Sequence, residues 1–214
     1  MLRKSGRDTR SDAALPRILN DSEYDCASMN DPLETRPGIC VFCGSWPGNS
    51  PAYAAAAREL GSLLADGKFT VVYGGSCDGC MGMLADAALA RGGEVIGIAP
   101  PSLGAERLHK GLTRFEPVRD LAERKLRMLK LSVGAIVLPG GTGTLDEFLE
   151  VLTMKRMSML QHPLIVIDVQ GFFRPLDALL SHLIATGFMS EAQRSLYQMV
   201  AAPAEAVRVL RESL

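Results

Sequence analysis

The chain of 214 residues is 47% hydrophobic and 22% charged, a composition that fits one globular domain with a full core. Its net charge of -1 argues against a protein that mainly neutralises nucleic-acid phosphates, so we expect no nucleic-acid partner. The apolar runs are strand-sized and interrupted by glycine or charge, and the N-terminus lacks the apolar segment of a signal peptide. We therefore expect neither a membrane partner nor secretion, but a cytoplasmic protein.

Residues 1–36 differ from the remainder of the chain. They mix basic and acidic side chains and show no sustained apolar periodicity, which predicts a flexible N-terminal arm. An organellar transit peptide is disfavoured because such segments contain few acidic residues. Residues 37–214 are predicted to form a single domain.

Strand and helix patterns alternate after this arm. Strands are predicted at 38–43, 69–73, 95–99, 134–138, 164–167 and 197–200. Helices are predicted at 50–66, 79–91, 119–132, 144–159, 172–186 and 203–213, and a polar loop at 101–117. The alternation predicts an α/β fold: a single doubly wound, mostly parallel sheet with helices on both faces, similar to a Rossmann fold.

Three of the predicted strands end in glycine-rich turns, at 43–48, 73–79 and 139–144. In doubly wound sheets, ligands bind beyond the carboxyl ends of the strands, so these turns should lie along one rim. The third turn precedes a helix, whose free N–H groups and dipole favour a phosphate or carboxylate. None of the turns has the dinucleotide-binding or phosphate-loop spacing, so neither NAD chemistry nor ATP hydrolysis is expected.

The spacings Cys40-x-x-Cys43 and Cys77-x-x-Cys80 suggest a zinc site at first sight. However, the first two cysteines lie in a predicted strand, where residues three apart point to opposite faces and cannot share one metal. The gap between the two pairs also exceeds that of a usual zinc ribbon. We therefore predict small buried or cavity-lining thiols, with no metal site and no disulfide.

Glu147 and Arg124 are the candidate reactive side chains, and each has a structural alternative. Thr144-x-x-Glu147 has the spacing of a capping box, in which the glutamate closes the start of a helix. Alternatively, this carboxylate faces the anion site. Arg124 belongs either to a solvated basic helix face or to the ligand site, where a planar guanidinium suits phosphate. Spacing alone does not decide either case.

Four motifs together resemble the LONELY GUY family of cytokinin-activating enzymes over about residues 38 to 190. They are Cys43-Gly44-Ser45, Tyr73-Gly74-Gly75 with Gly79-x-Met81-Gly82, Glu123-Arg124-Lys125, and Pro139-Gly140-Gly141-x-Gly143-Thr144-x-x-Glu147. The resemblance implies hydrolysis of the N-glycosidic bond of nucleoside 5′-monophosphates, cytokinin ribotides or AMP, to a free base and ribose 5-phosphate. It implies a homodimer and requires no metal or redox cofactor. Met154, Met157 and Met159 offer adaptable apolar surface for the dimer contact unless they pack in the core. Members are often labelled lysine decarboxylases, but the sequence offers no argument for a pyridoxal phosphate site.

The resemblance also assigns roles. Arg124 and Glu147 match the catalytic positions, and Glu106, Lys125, residues 141–147 and Thr153 match substrate-contacting positions. With the strand-end turns, the predicted substrate-binding set is Gly44, Ser45, Gly74, Gly75, Glu106, Lys125, Gly140, Gly141, Thr142, Gly143, Thr144 and Thr153. A non-catalytic nucleotide or phosphorylated-cofactor carrier on the same fold is the alternative function.

The chain departs from the family pattern at two positions, one in the second turn and one directly after it. Ser76 replaces a glycine and Cys80 replaces a leucine. Ser76 adds a side chain where the backbone approaches a ligand, so a different substrate preference is expected.

Overall fold

The computed structural model describes residues 36–214, so all but the last residue of the predicted N-terminal arm lies outside the described residues. The strands are Gly38–Phe42 (β1), Thr70–Tyr73 (β2), Val95–Ala99 (β3), Arg114–Pro117 (β4), Gly134–Val137 (β5), Leu164–Ile167 (β6) and Gln198–Val200 (β7). The helices are Pro51–Asp66 (α1), Gly79–Ala90 (α2), Leu121–Lys130 (α3), Thr142–Arg156 (α4), Arg174–Ala185 (α5) and Pro203–Ser213 (α6). None of these helices is long and apolar enough to cross a membrane.

The strands form one parallel sheet in the order β4-β3-β2-β1-β5-β6-β7, which confirms the predicted doubly wound α/β fold. The chain moves outward from β1 to β4 on one side and from β5 to β7 on the other. β1 and β5, paired at Cys40 and Ala135, are therefore the strands where the winding direction reverses. A crevice opens beyond their carboxyl ends, which is where ligands bind in this architecture.

Two apolar layers cover the sheet, and β1 contributes to both because successive strand residues point to opposite faces. Ile39, Val41 and Cys43 belong to the layer formed with α1, α2 and α6. Cys40 and Phe42 belong to the layer formed with α3, α4 and α5. The structure thus confirms that Cys40 and Cys43 lie on opposite faces, and no group of metal-binding side chains is found among residues 36–214.

The largest error of the sequence prediction is β4, which lies in the segment predicted as a polar loop. This strand pairs with β3 from Ile96–Arg114 to Ala99–Pro117. Its residues are mostly exposed and lack the apolar alternation of a half-buried strand. Since β4 is at the edge of the sheet, pairing on a single side is enough to hold it.

The start of α4 lies two residues before the predicted one, and this shift decides the role of Thr144. The helix begins at Thr142 with Gly141 as its N-cap, so Thr144 is already inside the first turn and its side chain does not cap the helix. The capping-box interpretation of Glu147 therefore fails. The helix also ends at Arg156, three residues before the predicted end, whereas the other predicted boundaries lie within two residues of those observed.

Candidate active site

A cavity of about 810 Å³ lies above the crevice between β1 and β5. All three predicted glycine turns line it, with residues from Cys43–Asn49, Gly74–Ser76 and Pro139–Thr144. A fourth segment, within 99–108 after β3, closes another side. The prediction that the turns share one rim is confirmed.

The turns after β1 and β5 are held against each other. The Gly44 N–H donates to the Pro139 carbonyl oxygen over 3.1 Å. A Cβ atom on Gly140 would overlap the Thr144 hydroxyl and lie 2.8 Å from the Gly44 nitrogen. Glycine is therefore required at 140 by packing within the protein.

Gly141 and Gly143 serve a different purpose, because a Cβ atom at either position would meet no protein atom within 4 Å. Both line the cavity at the start of α4, where Gly141 as the N-cap provides no side-chain acceptor. The first N–H groups of a helix lack acceptors within the helix, and its dipole adds partial positive charge there. The start of α4 is thus an open backbone cradle that can accept an anion, comprising Gly140, Gly141, Thr142, Gly143 and Thr144.

Arg124 from α3 and Glu147 from α4 meet beside this cradle. Their Nη2 and Oε1 atoms are 3.9 Å apart, and the two side chains are 14% and 11% exposed. The Nε atom of Arg124 is buried and has no hydrogen-bond partner among the described residues. A Cβ atom on Gly74 would overlap the Arg124 guanidinium, so glycine at the end of β2 makes room for this arginine.

The electrostatic setting of Glu147 is unusual for a carboxylate. Burial raises its pKa from an ordinary 4.5 to about 7, although the nearby Arg124 guanidinium lowers the pKa in part. A carboxyl group that titrates near neutral pH inside a cavity is typical of functional sites. Glu147 can therefore exist as an acid or as a base at physiological pH.

Most of the predicted site residues come together in this cavity, but three do not line it. Lys125 pairs through Nζ with Asp146 and Glu150 on the flank of α4. The Thr153 hydroxyl donates to the Leu149 carbonyl within α4. Glu106 lies in a short 3-10 turn whose neighbours Ala105 and Arg107 line the cavity. Substrate contacts by Lys125, Thr153 and Glu106 stay predictions.

Of the segment after β3, only Glu106 was predicted to belong to the site, and the residues of this segment that line the cavity were not recognised from the sequence. The segment is tied to the second glycine turn, since the His109 N–H donates to the Gly75 carbonyl and the Cys77 N–H to the Arg107 carbonyl, both over 2.9 Å. Arg107 also forms an ion pair with Asp78 over 3.4 Å. No periodic sequence signal marks such a segment, because backbone hydrogen bonds to a distant turn hold it.

The apolar wall of the cavity was missed as well. Its aromatic side chains come from separate parts of the chain, namely Trp46, Tyr53, Phe115 and Phe172. Tyr53 and Phe172 pack edge to face, with their ring centroids 5.6 Å apart. The isolated tryptophan within a glycine turn was the single signal that could have indicated this wall.

The two substituted residues, Ser76 and Cys80, have clear local roles. The Ser76 hydroxyl accepts a hydrogen bond from the Asp78 N–H over 3.1 Å, which stabilises the turn leading into α2. Cys80 is buried in α2 and lines the base of the cavity.

Fold and cavity together define a doubly wound α/β protein with an anion cradle at a helix start and a buried arginine–glutamate pair beside it. Residues 81–210 match the family described as possible lysine decarboxylase. The chain is 40% identical over 163 residues to the cytokinin riboside 5′-monophosphate phosphoribohydrolase of Rhodococcoides fascians, covering 75% of this chain and 82% of that protein. It is 34% identical over 176 residues to a probable enzyme of the same name from Oryza sativa subsp. japonica, covering 82% and 76%. The chain belongs to this family, the LONELY GUY family that its motifs predict.

Solved structures with a similar fold include the molybdenum cofactor binding protein from Rippkaea orientalis. It superposes with a TM-score of 0.65 and 21% identity, covering 84% of this chain and 98% of that chain. The Moco carrier protein from Chlamydomonas reinhardtii gives a TM-score of 0.64 and 20% identity, over 83% and 97%. At this level of identity the likeness establishes the shared fold.

Proposed function

We propose that the protein hydrolyses the N-glycosidic bond of nucleoside 5′-monophosphates, releasing a free base and ribose 5-phosphate. The observation that carries this proposal is the buried pair of Arg124 and Glu147 next to an open anion cradle. Relatives at 34 to 40% identity are named as enzymes of this activity. AMP and cytokinin ribotides are the proposed substrates.

The 5′-phosphate binds at the start of α4. The N–H groups of the first helical turn supply donors, and the bare Cα atoms of Gly141 and Gly143 let phosphate oxygens approach the backbone. This arrangement anchors a nucleotide without a lysine. Indeed, none of the described lysines lines the cavity, which also argues against a Schiff base with pyridoxal phosphate.

Glu147 acts on the sugar. Breaking the bond between ribose and base builds positive charge on the sugar, as in glycoside hydrolysis, and a carboxylate stabilises that charge. The same carboxylate orients the attacking water, whose oxygen bonds to the anomeric carbon as the electron pair of the broken bond leaves with the base. The proton lost by the water is then available to neutralise the base.

Arg124 supports this chemistry in two ways. Its charge lowers the pKa of Glu147 against the effect of burial and so favours the reactive carboxylate. Arg124 also lines the cavity, where its guanidinium N–H groups lie beside the cradle as hydrogen-bond donors for the substrate.

Incubation of the purified protein with AMP and with isopentenyl-AMP tests the proposal, with release of free base followed by chromatography. The expected result is free adenine or isopentenyladenine from the wild type and none from Glu147→Gln. A carrier on the same fold needs the cradle but not both side chains of the buried pair. Intact nucleotides after long incubation would therefore favour the carrier and refute the enzyme. A panel of AMP, GMP, CMP and cytokinin ribotides then ranks the bases.

We also propose that the protein acts as a homodimer through the exposed side of α4. Leu149, Thr153 and Met157 lie four residues apart on this side, and Met157 is 56% exposed, whereas Met154 is buried. Thr153, which the resemblance assigns to substrate contact, lies on this stripe outside the chain's own cavity, and that supports a site shared between two copies. Sedimentation should give a dimer for the wild type and a monomer for Met157→Glu. A monomeric wild type would refute the proposal.

A cytoplasmic location belongs to the same proposal. The four described cysteines are free thiols, as is usual in a reducing compartment. Cell fractionation with an antibody to the protein tests this location.

A further inference from the structure

Trp46 is the single tryptophan of the chain, and its side chain is 78% exposed at the edge of the cavity. By contrast, four aromatic residues of the core, Phe42, Tyr73, Phe148 and Phe173, are fully buried. None of the ring pairs in the described part of the chain includes Trp46. The folded protein therefore gains little from this indole.

The backbone of Trp46 is nevertheless held firmly. Pro47 follows it and restricts its conformation to the extended region. A Cβ atom on Gly79 would lie 2.6 Å from the Trp46 carbonyl carbon, and one on Gly44 would lie 3.0 Å from its carbonyl oxygen. Two glycines thus allow close packing around this peptide group. The main chain is fixed while the indole projects into solvent.

The position of Trp46 relative to the cradle indicates which part of a ligand its indole contacts. Trp46 follows Gly44 by two residues, and the Gly44 N–H bonds to Pro139 at the edge of the cradle. A ligand anchored there by its phosphate extends along the cavity, where aromatic and apolar side chains replace the backbone donors. Nucleobases stack on aromatic rings, and every base offers a flat face.

We propose that Trp46 stacks on the base of the bound nucleotide and thereby determines how strongly the site prefers large bases. This inference rests on the proposed nucleotide substrate, and it adds a specificity residue that neither cradle nor catalytic pair supplies. A purine presents more ring area than a pyrimidine. Trp46 therefore favours purine over pyrimidine nucleotides.

Tryptophan fluorescence reports this contact directly because the chain has no other tryptophan. The Glu147→Gln variant is titrated with AMP and, separately, with ribose 5-phosphate, so that no turnover occurs. AMP is expected to quench and shift the emission, whereas ribose 5-phosphate fills the cradle without contacting the indole. Equal changes with both ligands, or no change with AMP when calorimetry shows binding, would overturn the proposal.

Substitution gives a second, independent test. Trp46→Ala should raise the KM or Kd for AMP by about 5- to 150-fold, the range expected for loss of one base stack. The inhibition constant of ribose 5-phosphate should stay unchanged, and CMP should be affected less than AMP. Trp46→Phe should retain part of the affinity. Phe188→Ala is the matched control, since Phe188 is 85% exposed and does not line the cavity.

The outcomes separate this inference from the proposed activity. Unchanged AMP affinity in Trp46→Ala, or equal weakening of AMP and ribose 5-phosphate, refutes stacking even if the enzyme hydrolyses AMP. Conversely, absence of free base refutes hydrolysis, while the fluorescence titration still reports whether the base contacts Trp46.

Discussion

Replacement of Glu147 by glutamine should stabilise the folded protein at alkaline pH while it abolishes catalysis. A capping box would have led us to expect almost unchanged stability, because glutamine also serves at that position. The structure has no such box, and Glu147 is instead a buried acid with its pKa raised to about 7. Glutamine keeps the shape of the side chain and cannot ionise, so it removes the cost of a buried charge.

The size of the effect follows from proton linkage. The folded state holds a proton on Glu147 up to about pH 7, whereas the unfolded chain releases it near 4.5. The folded state therefore binds more protons between these values, and the free energy of unfolding of the wild type falls as the pH rises. Between about pH 5 and pH 8, ionisation of Glu147 should lower the free energy of unfolding of the wild type by about 2.5 kcal/mol. The Glu147→Gln variant lacks this group, so its free energy of unfolding should not fall for this reason.

Urea denaturation of both proteins at a series of pH values measures this difference. All other titrating groups are shared, so the gap between the two curves isolates Glu147. In thermal unfolding, the difference in melting temperature between Glu147→Gln and the wild type should increase by roughly 5 to 10 °C over this pH range for a chain of this size. Parallel curves, or a variant that loses stability relative to the wild type as the pH rises, would refute the assigned burial and pKa of Glu147.

Three further predictions concern the same site. The proposed role of Glu147 requires its carboxylate form, and its pKa is raised to about 7, so kcat/KM for AMP should rise with pH through about 7 and then level off. A flat profile in stopped assays from pH 5 to 9 would contradict this role. Gly141→Ala should fold normally but weaken AMP binding at least tenfold in calorimetry. Gly140→Ala should instead lower the melting temperature, because its Cβ overlaps neighbouring atoms. Equal melting temperatures for the two variants would argue against the packing inferred for Gly140. Gly74→Ala should displace the Arg124 guanidinium and reduce kcat at least a hundredfold. Near-normal turnover would show that catalysis does not depend on this position of Arg124.

The fold was predictable because the five inner strands, β1, β2, β3, β5 and β6, are short, continuously buried and largely apolar runs. Ala135–Val137 and Leu164–Ile167 are buried on both faces, as expected for parallel strands covered by helices. The glycine turns were predictable for a related reason, since they interrupt the pattern where strands end. β4 escaped prediction because an edge strand with exposed side chains has no such apolar signature.

The site was only partly predictable. Arg124 and Glu147 are 23 residues apart in the sequence, and no local pattern shows that α3 and α4 bring them to 3.9 Å. Resemblance, not spacing, selected the pair. The capping-box error has a physical origin, because Gly143 disfavours helix in isolation and the packing of Gly140 against Thr144 places that threonine inside the first turn.

A phosphate cradle alone would make this protein one of many anion binders, and the course of α4 distinguishes it. Glu147 follows Thr142 by five residues, which is about 7.5 Å of helix rise, and helical side chains lean toward the N-terminus. The carboxylate is thus drawn back toward the cradle, and both line the same cavity. The helix that carries the proposed phosphate cradle therefore also sets the position of the carboxylate. One residue inserted between Thr144 and Glu147 would turn the carboxylate by about 100° away from Arg124 and leave an anion binder without the catalytic pair.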